Sequence, residues 1–230
     1  MNCIFTVNIN AFLRPHSRNS FIAAAQRWDC DYHEILAPVL AYPSCAKTLG
    51  AARLAAYDAV ACFDADTVIS THAPNVFDLC VQPDTLYAVS DYQPQCRQDD
   101  WREVAYHKPL SACAARCSGR FGGSPKLPPM EEFFNAGFWM CQQSYAVREM
   151  MAFAYDHEPV NLDNQLAMYE EQATINLVAY NWPGIRISIL SIEWNTMIAW
   201  PPFQPDPHAF VNHFGGPAHT VLWALDSSPS

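Results

Sequence analysis

Short, nearly unbroken apolar segments alternate with stretches of helical periodicity along this chain, and that alternation confines it to the α/β architectures. Residues 3–9 (CIFTVNI) are β-rich and read as a buried strand. After a polar loop at 14–20, Phe21, Ile22, Ala25 and Trp28 recur at helical spacing. Residues 45–57 (CAKTLGAARLAAY) set Leu49, Ala52, Leu54, Ala56 and Tyr57 among strong helix formers and lead into an apolar run from Ala59 to Phe63. Strand, helix, strand, helix, strand predicts a mainly parallel sheet with helices on its faces. Further strands are expected at 86–90, 134–140, 185–190 and 209–213. Helices from Ser144 to about Tyr155 and from about Glu170 to Tyr180 separate them.

With 230 residues, half of them apolar, the chain can bury a large core, and one domain accounts for it. We assign residues 1–226 to that domain and 227–230 to a tail. Between Tyr92 and Met130 the patterning fades and prolines and glycines gather. Six of the chain's 13 Lys and Arg stand there against only Asp99, Asp100 and Glu103. Residues 92–130 therefore read as a basic, loop-rich insertion in an acidic domain, either a solvated loop or an acceptor-side lid.

A net charge of −10 repels phosphate backbones, so nucleic acid is not an expected partner. No apolar run reaches the roughly 20 residues that span a bilayer, and the first residues carry neither a basic n-region nor a cleavage site. The expectation is a protein of the cytoplasm without a transmembrane segment. The nine cysteines are scattered, with no Cys-x-x-Cys pair, and read as reduced, mostly buried small hydrophobes. Cys96, His107, Cys113 and Cys117 are the one cluster to weigh as a zinc site, at a spacing that fits no common ligand pattern.

In Val60-Ala61-Cys62-Phe63-Asp64-Ala65-Asp66-Thr67 an apolar strand ends in two carboxylates two residues apart, which extended geometry would point to one side. Ligands of open α/β sheets bind at the carboxyl ends of strands. Two carboxylates this close repel unless a cation lies between them, and hard divalent cations prefer oxygen ligands. The pair suggests a metal whose shell a diphosphate completes. Taken alone it fits a pair of capping aspartates equally well.

Asp64-Ala65-Asp66-Thr67 after a strand, Phe134-Asn135-Ala136-Gly137 on a later one, and His213-Phe214-Gly215-Gly216-Pro217 near the end together resemble the GT-A glycosyltransferases. Among these the motif order and spacing are most similar to glycosyltransferase family eight, the glycogenin-like and bacterial galactosyltransferase-like enzymes, from the first strand to about Trp223. The resemblance implies a single Rossmann-like nucleotide-sugar-binding domain with a central, mostly parallel mixed sheet flanked by helices. It implies an enzyme moving a sugar from a UDP-sugar to a hydroxyl of a glycan or other acceptor, with retention of anomeric configuration.

Position by position, Asp64, Asp66 and His213 match the metal ligands, usually of Mn²⁺, with Mg²⁺ as the alternative. A mixed carboxylate and imidazole set also suits Mn²⁺ on its own chemistry. Lys47, 17 residues before Asp64, stands where the family keeps a basic residue near donor sugar and phosphates. Asn135 and Gly137, with Ala136 between them, match the motif whose amide bonds donor hydroxyls. Glu171-Gln172 stands where similar enzymes carry Asp-Gln beside the anomeric carbon, preferred over the competing alignment Asp163-Asn164-Gln165 because Ile175-Asn176-Leu177 and Trp194-Asn195 continue the family pattern, and Asp91 matches another acidic position lining the site. Thr6, Val7 and Asn8 end the first strand, where base and ribose would rest, and Ala65 and Gly216 complete the donor-side set. The family's Asn-Asp-x-Tyr is replaced by Asn8-Ile9-Asn10-Ala11-Phe12, and its lysine six residues beyond the metal histidine by His219, for which Arg14, Arg18 or a residue of the 92–130 insertion could compensate.

Two other readings use the same residues. Phe63-Asp64-Ala65-Asp66-Thr67 also resembles the nucleophile motif of haloacid-dehalogenase phosphatases, which place it on the first strand and need a second acidic motif. Here Asp99-Asp100 is the only Asp-Asp. Seven Trp and ten Tyr would also suit a catalytically inactive carbohydrate-binding protein on a transferase scaffold.

Overall fold

A computed structural model of the chain describes residues 1–8, 13–36, 46–92, 106–157, 167–199, 203–215, 218 and 221–222. Its main sheet contains β1 (Asn2–Asn8), β2 (Asp31–Leu36), β3 (Ala59–Phe63), β5 (Thr85–Ser90), β6 (Phe134–Gln142) and β7 (Arg186–Leu190), in the order β2-β1-β3-β6-β5-β7. A second, three-stranded sheet, ordered β4-β9-β8, is formed by β4 (Thr67–Ile69), β8 (Thr196–Met197) and β9 (Val211–His213). In the main sheet β1 pairs in parallel with β2 and β3, and β5 with β7. Only β6 runs against its neighbours, pairing antiparallel with β3 and β5. The sheet is mixed, as expected, and the reversal carries the first residues of β6 to the carboxyl ends of β3 and β5: Phe63 faces Phe138 and Ser90 faces Phe134.

Alternation along the strands sends side chains to two cores. Cys3, Phe5, Val60, Cys62, Leu86, Ala88, Trp139 and Cys141 face one, and Ile4, Ala59, Ala61, Phe63, Tyr87, Val89, Phe138 and Met140 the other. The first core is covered by helices α2 (Ala46–Arg53), α3 (Lys108–Cys117), α4 (Tyr145–Asp156) and α5 (Ala167–Asn181), and the second by α1 (Pro15–Arg27).

Three sequence expectations shift. The segment 14–20, read as a loop, is helical from Pro15 onward. Proline suits a first turn because its missing N–H has no partner to lose there. β2 has no clean apolar pattern since it lies at the sheet edge, where only Ile35 is buried. Within 92–130, residues 93–105 lie outside the described residues. The following stretch contains α3, which buries Pro109, Leu110, Cys113 and Cys117 against α5, so regular structure persists there among the prolines and glycines. The structure leaves the two halves of the sequence-based zinc cluster in different circumstances: Cys113 and Cys117 are core thiols, Cys113 Sγ lying 2.7 Å from Thr174 Oγ1, while Cys96 is outside the described residues. Among the described residues no helix is long and apolar enough to cross a membrane.

Candidate active site and metal centre

Asp64 and Asp66 leave β3 in a turn rather than in the extended geometry expected of them. The Asp64 carbonyl accepts from Thr67 N at 3.1 Å and from Thr67 Oγ1 at 2.8 Å, closing the turn, and Asp64 N donates to Gly137 O at 2.8 Å. The chain then enters β4, whose Thr67 pairs directly with His213 on β9, and Phe214 N donates to Asp66 O. The second sheet thus delivers an imidazole from residue 213 to carboxylates at 64 and 66. His213 Nε2 lies 3.2 Å from Asp66 Oδ1 and 3.7 Å from Asp64 Oδ2. Each of the three side chains offers one ligand atom within 4.8 Å of the others, the only such group among the described residues.

Lys47 reaches this centre from α2, which lies flat on the sheet because Gly50 has no side chain. A Cβ there would stand 2.6 Å from the Phe5 ring and 2.7 Å from Ile35 Cδ1. The Lys47 ammonium, nearly buried, contacts Asp64 Oδ1 at 2.6 Å and Glu171 Oε1 at 3.6 Å, and donates to Ala136 O at 3.3 Å. Burial works against its charge, but the carboxylates of Asp64 and Glu171 outweigh it and hold the ammonium above its ordinary range. The same opposition acts on His213, where burial would lower the imidazole and Asp66 and then Asp64 raise it. Beneath them Cys62 is driven toward the neutral thiol by burial.

Beside the carboxylates lies a buried amide network. Asp91, directly after β5, accepts from Asn135 Nδ2 at 2.7 Å on one oxygen and from Gln172 Nε2 at 2.9 Å on the other. Gln172 Oε1 accepts from Ala136 N at 3.0 Å, and Asn135 Oδ1 from Gly137 N at 2.8 Å. One turn along α5 from Gln172, Asn176 clamps the start of β6 by accepting from Phe134 N and donating to Phe134 O, both at 2.8 Å. Gly137 is required here: a Cβ would stand 2.7 Å from Asn135 Oδ1 and collide with the His213 ring.

The structure therefore brings Lys47, Asp64, Asp66, Asp91, Asn135, Ala136, Gly137, Glu171, Gln172 and His213 to one place, while Ala65 is buried in the second core. Thr6, Val7 and Asn8 end β1 as buried residues. Thr6 Oγ1 has no hydrogen-bond partner among the described residues, and Asn8 accepts from Leu13 N and donates to Glu34 Oε2. Arg18 is committed to Glu34 through contacts of 2.5 and 2.9 Å, which argues against its compensating for a missing diphosphate lysine. Gly216, His219 and the competing Asp163-Asn164-Gln165 lie outside the described residues, as does Asp99-Asp100 of the phosphatase reading. Sequence reasoning takes Trp194-Asn195 only as a continuation of the family pattern and assigns no role to Asn195, whose buried amide stands between His213 and Asn135, directly after a one-turn helical segment, Ile192–Trp194.

No protein-family profile matches the sequence, and no curated protein matches it. Solved structures do match. A glycosyltransferase involved in the glycosylation of the major capsid of PBCV-1 superposes with a TM-score of 0.63 at 9% identity, over 98% of each chain. The WbbM bifunctional glycosyltransferase gives 0.56 at 14% identity, over 93% of this chain and 45% of that one. Galactosyltransferase LgtC, solved with donor and acceptor sugar analogs, gives 0.51 at 16% identity, over 100% of this chain and 98% of that one. The chain has the GT-A glycosyltransferase fold, similar to that of family eight. At these identities the likeness is one of architecture.

Proposed function

We propose that the protein is a metal-dependent glycosyltransferase that moves a sugar from a nucleotide diphosphate sugar, with UDP as the expected nucleotide, to a hydroxyl of a glycan or other acceptor. The observation that carries this reading is the grouping of Asp64, Asp66 and His213 beside the Asp91, Asn135 and Gln172 network on a GT-A scaffold. Two carboxylates and an imidazole suit Mn²⁺, with Mg²⁺ as the alternative. Bound there, the ion would neutralise negative charge growing on the departing diphosphate, while positive charge develops on the sugar. Lys47 would hold Asp64 in place and add positive charge at the phosphate side. Gln172 and Asp91, supported by Glu171, would flank the anomeric carbon, and Asn135 would orient the sugar. Retention of configuration is the expected outcome, with residues 1–226 acting as one domain and part of 92–130 serving the acceptor. A cytoplasmic setting is in keeping with the seven described cysteines, all free thiols.

The test is a panel of nucleotide sugars incubated with and without Mn²⁺, with donor turnover and anomeric configuration followed by NMR. One UDP-sugar should be consumed slowly in a Mn²⁺-dependent manner, and Asp66→Ala should cut this by about 100-fold or more. Turnover indifferent to a chelator would sink the metal assignment.

A further inference from the structure

A chain of hydrogen bonds whose direction is fixed at both ends runs from the amide network to the metal centre. At one end, Gly137 N can only donate, so the atom of Asn135 that receives it is Oδ1. At the other side of the same amide, Asp91 accepts, which agrees with Nδ2 pointing there. Asn135 Oδ1 also receives Asn195 Nδ2 at 3.0 Å, so the Asn195 amide is oriented in turn and its oxygen faces the imidazole. Asn195 Oδ1 lies 3.1 Å from His213 Nδ1, and an oxygen in that position requires Nδ1 to be the donor. Both asparagines are buried, Asn195 completely, so water is not at hand to replace a lost partner.

We propose that Asn195 is a positioning residue that keeps the proton of His213 on Nδ1 and thereby presents the Nε2 lone pair to the metal shared with Asp64 and Asp66. The inference rests on the metal reading above. Nε2 is the atom turned toward both carboxylates, and Asp66, 3.2 Å away, competes with Asn195 for the proton of the neutral ring; the Asn195 contact tips that competition to Nδ1 and leaves Nε2 to serve a cation. The same chain, Gln172 to Asp91 to Asn135 to Asn195 to His213, joins the groups assigned to the sugar with the imidazole assigned to the metal. Removing Asn195 would free the ring to rotate or to move its proton to Nε2, and an outer partner of this kind is typically worth about 10- to 100-fold in metal affinity.

Two measurements that do not depend on turnover test this. In metal-free protein with ¹⁵N-labelled histidine, held at a pH where the ring is neutral, the His213 signal, identified by its absence in His213→Gln, should show a protonated Nδ1. In Asn195→Ala the signal should shift toward the Nε2–H form. In parallel, Mn²⁺ affinity measured from the EPR signal of the free ion should fall about 10- to 100-fold in Asn195→Ala. Asn195→Asp keeps an oxygen for the Nδ1 proton but loses the donor to Asn135 Oδ1, and should recover part of the loss. An Nε2–H tautomer in the wild type, or a folded Asn195→Ala protein that binds Mn²⁺ as tightly as wild type, would overturn the proposal. If Asn195→Ala does not fold, the wild-type tautomer decides. Wild-type protein that binds no Mn²⁺ would instead overturn the metal reading, while the tautomer still reports on the hydrogen-bond chain.

Discussion

At the scale of single residues the site is built from mutual constraint. Gly137 shows this most directly, since its missing side chain is what lets the His213 ring and the Asn135 amide pass within contact of the β6 backbone. Gly137→Ala should therefore displace both groups. The expected outcome is a loss of about 1–3 kcal/mol by chemical denaturation, together with weaker Mn²⁺ binding, and an unchanged Mn²⁺ titration would mean that the ring has room to spare. Asp64, Asp66, Asn135 and His213 were legible in the sequence because each sits in a short motif on or beside an apolar strand, and Gln172, inside a helix, only through the family resemblance. The role of Asn195 was not, because its partners are 60 and 18 residues away and only the folded backbone aligns the three side chains. The family resemblance placed Lys47 near the donor, but its contact with Asp64 was hidden until Gly50 seats α2 on Phe5.

At the scale of elements, strands with long apolar runs, β1, β3, β5 and β6, could be read because both faces are buried. The edge strand β2 and the short strands β4 and β8 of the second sheet could not, being too short or too polar to show a period, whereas β9 falls within the strand expected at 209–213. Helix α3 escaped notice for a related reason. Its apolar face is made of Pro109, Leu110, Cys113 and Cys117, and cysteines and a proline weaken any helical pattern. Leu110 is fully buried against α5, the helix that carries Glu171, Gln172 and Asn176. Leu110→Ala should cost about 2–5 kcal/mol in urea denaturation. A cost below about 0.5 kcal/mol would show α3 to be a dispensable cover.

At the scale of the whole molecule, a chain of net charge −10 gathers the buried Asp91 and Glu171 and the partly buried Asp64 and Asp66 into one region, where Lys47 contacts Asp64 and Glu171. A ligand that binds only the folded state stabilises it, by about 2.7 kcal/mol at 100 times its dissociation constant. Saturating Mn²⁺ should then raise the midpoint of thermal unfolding by about 5–10 °C in the wild type and leave Asp66→Ala unmoved, as a scan with and without chelator would read. On the proposed function, the excess of carboxylates at that centre would also set an order of events: an incoming diphosphate would meet more negative than positive charge until a cation is in place, so donor and metal would have to arrive in sequence or as one complex. In that sequence the Lys47 ammonium, 2.6 Å from Asp64 Oδ1, would serve as the partial counterion of the carboxylates before the cation arrives.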